Sequence, residues 1–492
     1  MKPHASPFRR PGPRSAAPAL ALVSLLLTLG RPAVAATPSA AGQWPQFRGP
    51  NSSGVLEAAK PPSFFGPGTN LGWKAESPAG VSSPCIWGNR LFLTGEAEGE
   101  LVTLCYDTET GRVLWRKGVQ SQPPRELHKA NHPASATPAT DGSALCVYFP
   151  TFGLVAYDYS GRELWRKPMP GLLVRNGSGT SPAMIEGRLI LNCDVEEGKS
   201  FIAAYEPRSG REQWRTPRTN YISGYTTPVL WSHEGRDELL ISGSLRVAGY
   251  ALRDGREVWS AAGTEAVSVT PTPVLGHGMA YVMSRSIGGA KLPPFPIFLL
   301  GVDKDGDGKI SRAEMPRQMV EQGMFAGFDQ NHDGFVEQAE WDRAVAFVGQ
   351  GDYGLFALRP PGEGDLTATH IAWRHKKGVA SVSSPLFYRD RLYVVQDGGR
   401  VSCYEGASGE KRIEQERLGP EGEYFASPVA ADGRIFYSSA RGVITVTEAG
   451  DTLKVIASND LAEPILATPA LHGNALVVRT QNHLWSFHAA AK

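Results

Sequence analysis

Two short runs in the sequence have the residue types and spacing to hold a metal. DKDGDGKISRAE spans 303–314 and DQNHDGFVEQAE spans 329–340. Both fit a loop in which oxygen ligands recur at alternate positions around a hard cation. In the first, Asp303, Asp305 and Asp307 fill positions 1, 3 and 5. Lys309 offers its backbone carbonyl at 7, Ser311 acts through water at 9, and Glu314 closes the set with two oxygens at 12. In the second, Asp329, Asn331, Asp333, Phe335 (through its carbonyl), Glu337 and Glu340 fill the same places. Gly308 and Gly334 stand at position 6, where the chain turns sharply. One such match can be a solvated acidic turn. Two in tandem, each with Gly at 6 and Glu at 12, point to two calcium ions. Acids outnumber bases between 303 and 340, so the carboxylates repel one another until cations arrive.

Calcium loops of this kind need helices to hold them. Residues 315–328 leave room for one connecting helix, anchored by Met315, Met319, Phe325 and Phe328, with Gly323 as a point of breakage. A closing helix is expected over roughly 338–348. Before the first loop, PPFPIFLL allows at most a helical stub. Ile310, at position 8, suits a short β-link between paired loops. The module is as economical as a dockerin, but dockerins close with Asp, and Glu314 and Glu340 favour the EF-hand.

Almost everything around these loops reads as short β-strands. Four segments share one ending: GRVLW at 111–115, GRELW at 161–165, GREQW at 210–214 and GREVW at 255–259. Each follows a strand-like run ending at a tyrosine: LCYD, VAYD, AAYE, AGYA. A tight turn containing Gly joins two strands there. A second marker, Ser or Thr before Pro, recurs at Pro84, Pro138, Pro182, Pro228, Pro273, Pro385, Pro428 and Pro469. Its spacing is 41–54 residues except for one gap of 112, from Pro273 to Pro385. Removing 286–350, which contains both calcium loops, restores the period. Eight units of about 45 residues, each with four strand signals, predict an eight-bladed β-propeller with four-stranded blades.

The last unit stops one strand short. The first is preceded by an orphan strand, LGWKAES, which can complete it and close the ring. The resulting division is a leader at 1–35, a lead segment at 36–69, propeller at 70–285 and 351–492, and the α-helical calcium module at 286–350, inserted in blade five. The Trp series reads as core packing between blades. A seven-bladed WD40 ring is excluded because neither its Trp-Asp ending nor its Gly-His recurs.

By strand parity the insert, between the second and third strands of blade five, overhangs the face that carries the blade-to-blade crossings. That face has the most elaborate loops, among them GVQSQPPRELHKANHP at 118–133. It is the candidate binding surface, with His128, Asn131, His132, Arg175, Asn176 and Tyr221 as candidate contacts. Two His four apart lack an evident third ligand, so loop hydrogen bonding is the expected role of His128 and His132.

The repeat over roughly 70–488 resembles the BamB-like, or PQQ-binding-like, propeller family, with its Tyr/Leu-Asp-x-x-(Thr)-Gly-x-x-x-Trp unit. The lead WPQFRGPNSSGV at 44–55 is similar to the mature N-terminus of exported bacterial members. The resemblance implies a quinoprotein-like eight-bladed ring. It also raises a PQQ-dependent dehydrogenase, in which two adjacent cysteines, a Trp floor and a calcium enclose the quinone, and an assembly factor like BamB, the propeller lipoprotein of outer-membrane barrel assembly. The five cysteines here, Cys85, Cys105, Cys146, Cys193 and Cys403, include no adjacent pair. Cys105 and Cys403 share one repeat position and read as small buried strand residues. No Cys lies near the leader cut to take a lipid.

The basic start MKPHASPFRRPGPR, the apolar run 16–29 and the small residues Ala33 and Ala35 form a signal peptide cut near Ala35. Its apolar run is too short to be a comfortable membrane anchor. Its removal takes away five basic residues and turns the formal +1 of the whole chain slightly acidic, so nucleic acid is not an expected partner. The reading is a monomeric, periplasmic or secreted, non-catalytic propeller that binds two Ca2+ and takes a protein partner or small ligand on its loop face. A PQQ-dependent or carbohydrate-active enzyme and a BamB-like envelope assembly factor are the alternatives.

Overall fold

The computed structural model of the chain describes residues 42–120, 127–169, 174, 177–195, 199–218, 221–222, 224–285, 292–321, 324–360 and 362–488. The expected signal peptide lies outside these residues, as do Arg175 and Asn176.

Among the described residues, eight sheets built of four antiparallel strands follow in chain order, one per blade, with a two-stranded sheet in the insert. Blade one is Cys85–Trp87, Arg90–Ala97, Glu100–Asp107 and Val113–Val119. Blade eight is Ala470–His472, Ala475–Arg479 and His483–His488, completed by Leu71–Glu76 from the other end of the chain. That last pairing is antiparallel, with Lys74 opposite Trp485. The orphan strand therefore closes the ring as its sequence predicts.

The first strands of neighbouring blades touch and line the axis. The Ser/Thr-Pro marker sits there, and the structure gives it a physical role. In six of the eight, the residue before the proline turns its hydroxyl to the backbone of the preceding blade. Ser83 N–H donates to Thr137 Oγ1 at 3.0 Å, Thr137 N–H to Ser181 Oγ at 3.0 Å, and Thr227 N–H to Thr272 Oγ1 at 3.2 Å. Thr272 N–H donates to Ser384 Oγ, Ser384 N–H to Ser427 Oγ, and Ser427 N–H to Thr468 Oγ1, all at 3.0 Å. All eight of these residues are buried, where an unmet N–H would be costly.

A second staple runs near the rim. The outer-strand Trp of one blade packs on the turn glycine of the next. A Cβ at Gly161 would lie 2.8 Å from the Trp115 ring, at Gly210 2.5 Å from Trp165, and at Gly255 2.3 Å from Trp214. Gly210 has φ +69°, so glycine is required twice over. Each indole N–H also donates to a carbonyl of that neighbouring turn, as in Trp165 to Pro207 O at 2.8 Å. Trp73 uses the same contact on Gly111 and thereby locks the closing strand to blade one.

Blade four meets blade five differently. The third-to-fourth connection of blade five is long, and its strand Gly364–Asp365 pairs in parallel with the outer strand of blade four, Glu257–Ala262. Trp259 turns inward instead and donates to Glu238 at 2.6 Å.

The lead segment docks along the face of the first-to-second turns. Trp44 exchanges two backbone bonds with Ile86 of blade one. Pro45 O accepts from Thr140 of blade two, and Gln46 Oε1 accepts from Met184 N–H of blade three. The Asn51 amide brackets Leu230 of blade four at 2.8 Å on both its groups. Gly54 and Leu56 bond to Ala430 of blade seven, and Lys60 to Gly473 of blade eight. The exposed edges of inner strands are thus covered by the chain's own N-terminal stretch.

Candidate calcium module and loop face

Among the described residues the helical segments of the module are α1 (Phe295–Val302), α2 (Arg317–Glu321), α3 (Met324–Phe328) and α4 (Gln338–Gly349). The region expected to connect the loops is helical on both Arg317–Glu321 and Met324–Phe328. The expected stub before the first loop is wrong: α1 is eight residues long. Pro294 caps it and Pro296 lies in its first turn, where no intrahelical N–H is lost, so its prolines start the helix rather than block it. Apolar residues Phe295, Ile310, Met315, Phe325, Phe328, Val336 and Trp341 form a core of the module's own. Trp341 stacks on Phe298 and Phe328 with ring centroids 4.4 and 4.7 Å away.

The two loops share one internal frame. Ile310–Ser311 pairs antiparallel with Phe335–Val336, Ile310 opposite Val336. In the first loop Asp303 accepts from Gly306 N–H at 2.7 Å and Gly308 N–H at 3.1 Å. In the second, Asp329 accepts from Asp333 and Gly334 N–H, both at 3.1 Å. Glu314 accepts from Lys304 and Ser311 N–H at 2.9 Å, and Glu340 likewise from Gln330 and Glu337 N–H at 3.0 and 3.1 Å. Those backbone donors, Lys304 first, hold the Glu314 carboxyl at about 2.

Ligand atoms of Asp303, Asp305 and Asp307 lie within 4.8 Å of one another. Converging carboxylate oxygens are the donor set of a hard divalent cation. Lys309 of the first loop pairs with Glu337 of the second at 2.5 Å. The carboxylates of the first loop therefore fit a hard divalent cation.

Both legs of the module are tied to the ring. Arg285 pairs with Asp397 of blade six at 3.8 Å and donates to Ser381. On the other leg Asp352 accepts from Arg374 and Lys376 of blade five's outer strand, and its N–H donates to Thr264 O in the crossing from blade four. The module thus stands beside the loop face.

On that face Lys129, in the crossing from blade one, pairs at 2.9 Å with Glu423, in the crossing from blade six. His128 and His132 each accept, through Nδ1, from the N–H two residues on, at 3.2 and 3.1 Å. His132 also lies 3.6 Å from Glu96, and burial, against that charge, holds its imidazole below the usual range. Asn131 Oδ1 accepts from His132 N–H and Ser135 Oγ. Tyr221 is 1% exposed and does not reach the surface. Its ring lies 3.6 Å beneath the Arg218 guanidinium, and its hydroxyl accepts from Arg246 at 2.6 Å. Arg218 in turn forms a fully buried bidentate pair with Asp194 at 2.6 and 2.8 Å. Sequence reading missed this pair because its members lie 24 residues apart in non-repeating loops.

An eight-bladed ring of four-stranded sheets, closed by its N-terminal strand and carrying an EF-hand-like insert, defines a class of propeller. The family described as outer membrane protein assembly factor BamB, a PQQ-like repeat family, matches residues 98–289 and 333–491, and the chain belongs to it. A family of EF hands matches 302–320, which covers the first loop. No curated protein matches the sequence. Among solved structures, BamB from Moraxella catarrhalis is 12% identical, with 85% of this chain and 99% of that one covered at a TM-score of 0.53. Quinohemoprotein alcohol dehydrogenase from Comamonas testosteroni is 11% identical, with 93% and 82% covered at 0.56. A europium-containing methanol dehydrogenase is 10% identical, with 91% and 98% covered at 0.56. At such identities the likeness is one of fold. Among the described residues no helix is long and apolar enough to cross a membrane.

Proposed function

We propose that this chain is an exported, non-catalytic calcium-binding propeller that docks a protein partner or small ligand on its loop face, beside the calcium module. The matched hydrogen-bond frames of the two loops carry the reading. Asp303, Asp305, Asp307, Glu314 and the Lys309 carbonyl would hold one ion, with Ser311 through water. Asp329, Asn331, Asp333, Glu337, Glu340 and the Phe335 carbonyl would hold the other. Bound calcium supplies positive charge to an acidic insert and orders it. The ring supplies a base, and His128, Asn131 and His132 would contact a partner there; Arg175 and Asn176, outside the described residues, are proposed contacts on the grounds of sequence alone. The signal-like start supports a periplasmic or secreted location.

The family match keeps a second reading in view, an enzyme using PQQ, since quinoprotein dehydrogenases share the fold. The cysteines weigh against it. All five are free and buried, and burial raises the Cys85 thiol above its ordinary value. Titrating the purified protein with calcium and then with PQQ, while following quinone absorbance and dye reduction with alcohols, separates the two. Calcium uptake without quinone binding or turnover is expected. Stoichiometric quinone binding with dye reduction would replace this reading by the enzyme.

A further inference from the structure

Three arginines are among the largest fully buried side chains, and they are satisfied very unequally. Arg218 has Asp194 on two nitrogens and the Tyr250 hydroxyl on the third, at 2.5 Å. Burial disfavours its charge, but the Asp194 carboxylate more than restores it. Arg479 has no acid, yet it makes four bonds: to Ser82 O and Oγ, Thr94 O and Pro78 O, all 2.8–3.1 Å. Arg48, in the lead segment, has neither arrangement. Its Nη2 donates to Pro385 O at 2.7 Å and weakly to Ser53 O at 3.4 Å. Its Nε and Nη1 are buried with no partner.

A guanidinium has five N–H donors and stays charged in nearly every setting. Enclosing it without a counter-charge costs several kcal/mol. For Arg48, burial alone sets the balance, pulling its pKa down to about 9, with no acid opposing it. The setting is nonetheless purpose-shaped. Arg48 takes a left-handed backbone at φ +59°, and a Cβ at Gly54 would come within 2.9 Å of its Nη2. Gly49, the next residue, packs on the Trp44 ring, whose buried Nε1 is one more donor without a partner. Buried donors without partners therefore occur twice within residues 44–48 of the lead, and those of Arg48 lie beside Pro385 of blade six.

We propose that Arg48 holds a small inorganic anion of halide size at the floor of the ring, and that this ion fastens the lead segment to the inner strands. An anion supplies both the missing acceptor and the missing charge. Water supplies only the first.

Crystals of the wild-type chain soaked in bromide test this directly. An anomalous peak beside Nε or Nη1 of Arg48 is expected, and water alone at those atoms would overturn the proposal. In solution, thermal unfolding is compared in chloride and in gluconate at equal ionic strength. Once chloride exceeds its dissociation constant, Tm should rise by about 1–2 °C per tenfold increase. Arg48→Met should abolish that dependence. A chloride effect that persists in the variant, or equal Tm in both salts for the wild type, would also overturn it. Should Arg48→Met fail to fold, the bromide position and the wild-type salt comparison decide alone.

Discussion

The ring and the calcium module treat charge in opposite ways. In the ring, Arg218 meets Asp194 inside the protein, and the contacts that repeat between blades are neutral: hydroxyl to N–H near the axis, indole to glycine near the rim. In the module, carboxylates cluster within two short loops, and backbone N–H groups orient Asp303, Asp329, Glu314 and Glu340. The ring's repeated contacts need no metal. The module's frame is set, but its charge is left for metal to balance. Stability of the ring should therefore ignore calcium, while order in the module should depend on it.

The largest expected effect breaks the ring's side of this contrast. Asp194→Ala leaves Arg218 buried and unpaired and should cost about 3–5 kcal/mol, read by urea unfolding. A cost under 1 kcal/mol would mean that water reaches the site. Next, Gly210→Val sets a branched side chain against the Trp165 ring at a positive φ. The backbone strain alone should cost roughly 1–3 kcal/mol, with overpacking added. The same change at Gly187, where a Cβ meets nothing within 4 Å, shares the positive φ without the clash, so the difference between the two isolates the rim staple. Thr137→Val removes the acceptor of Ser83 N–H and should cost about 1–3 kcal/mol.

The gains from calcium are smaller. At roughly tenfold excess over the dissociation constant, each site should add about 1.4 kcal/mol to the module. Trp341, stacked in the module core, reports it: chelation should alter the emission that Trp341→Phe removes and leave the far-ultraviolet β signature unchanged. Acid sharpens the point. The folded Glu314 carboxyl is depressed to about 2. Its contribution to the metal-free module is therefore complete above the ordinary Glu range and lost as pH falls toward 2. Glu314→Gln should remove that part of the acid transition in the Trp341 signal.

Much of this was legible in the sequence, for a physical reason. Strand, turn and staple recur once per blade, so Trp, Gly and Ser/Thr-Pro repeat in register, and a 112-residue gap exposes the insert. The calcium loops are read residue by residue because their ligands are local. The Ser/Thr-Pro marker was visible, but its role was not, because each bond joins residues of different blades. The docking of the lead was hidden for a related cause. Gln46, Arg48 and Asn51 each meet a different blade and repeat nothing. Trp259 carries the sequence marker yet breaks the staple, because its neighbour's turn is replaced by the long connection of blade five.

The most direct test of the account is a calorimetric calcium titration of the chain with and without 286–350. Ser284 and Gly354 face each other in one ladder, so a short turn can bridge the deletion. The account predicts two ions bound by the intact chain, none by the shortened one, and the same β signature and metal-free unfolding midpoint for both. Calcium binding that survives the deletion, or a ring that unfolds without the module, would contradict it.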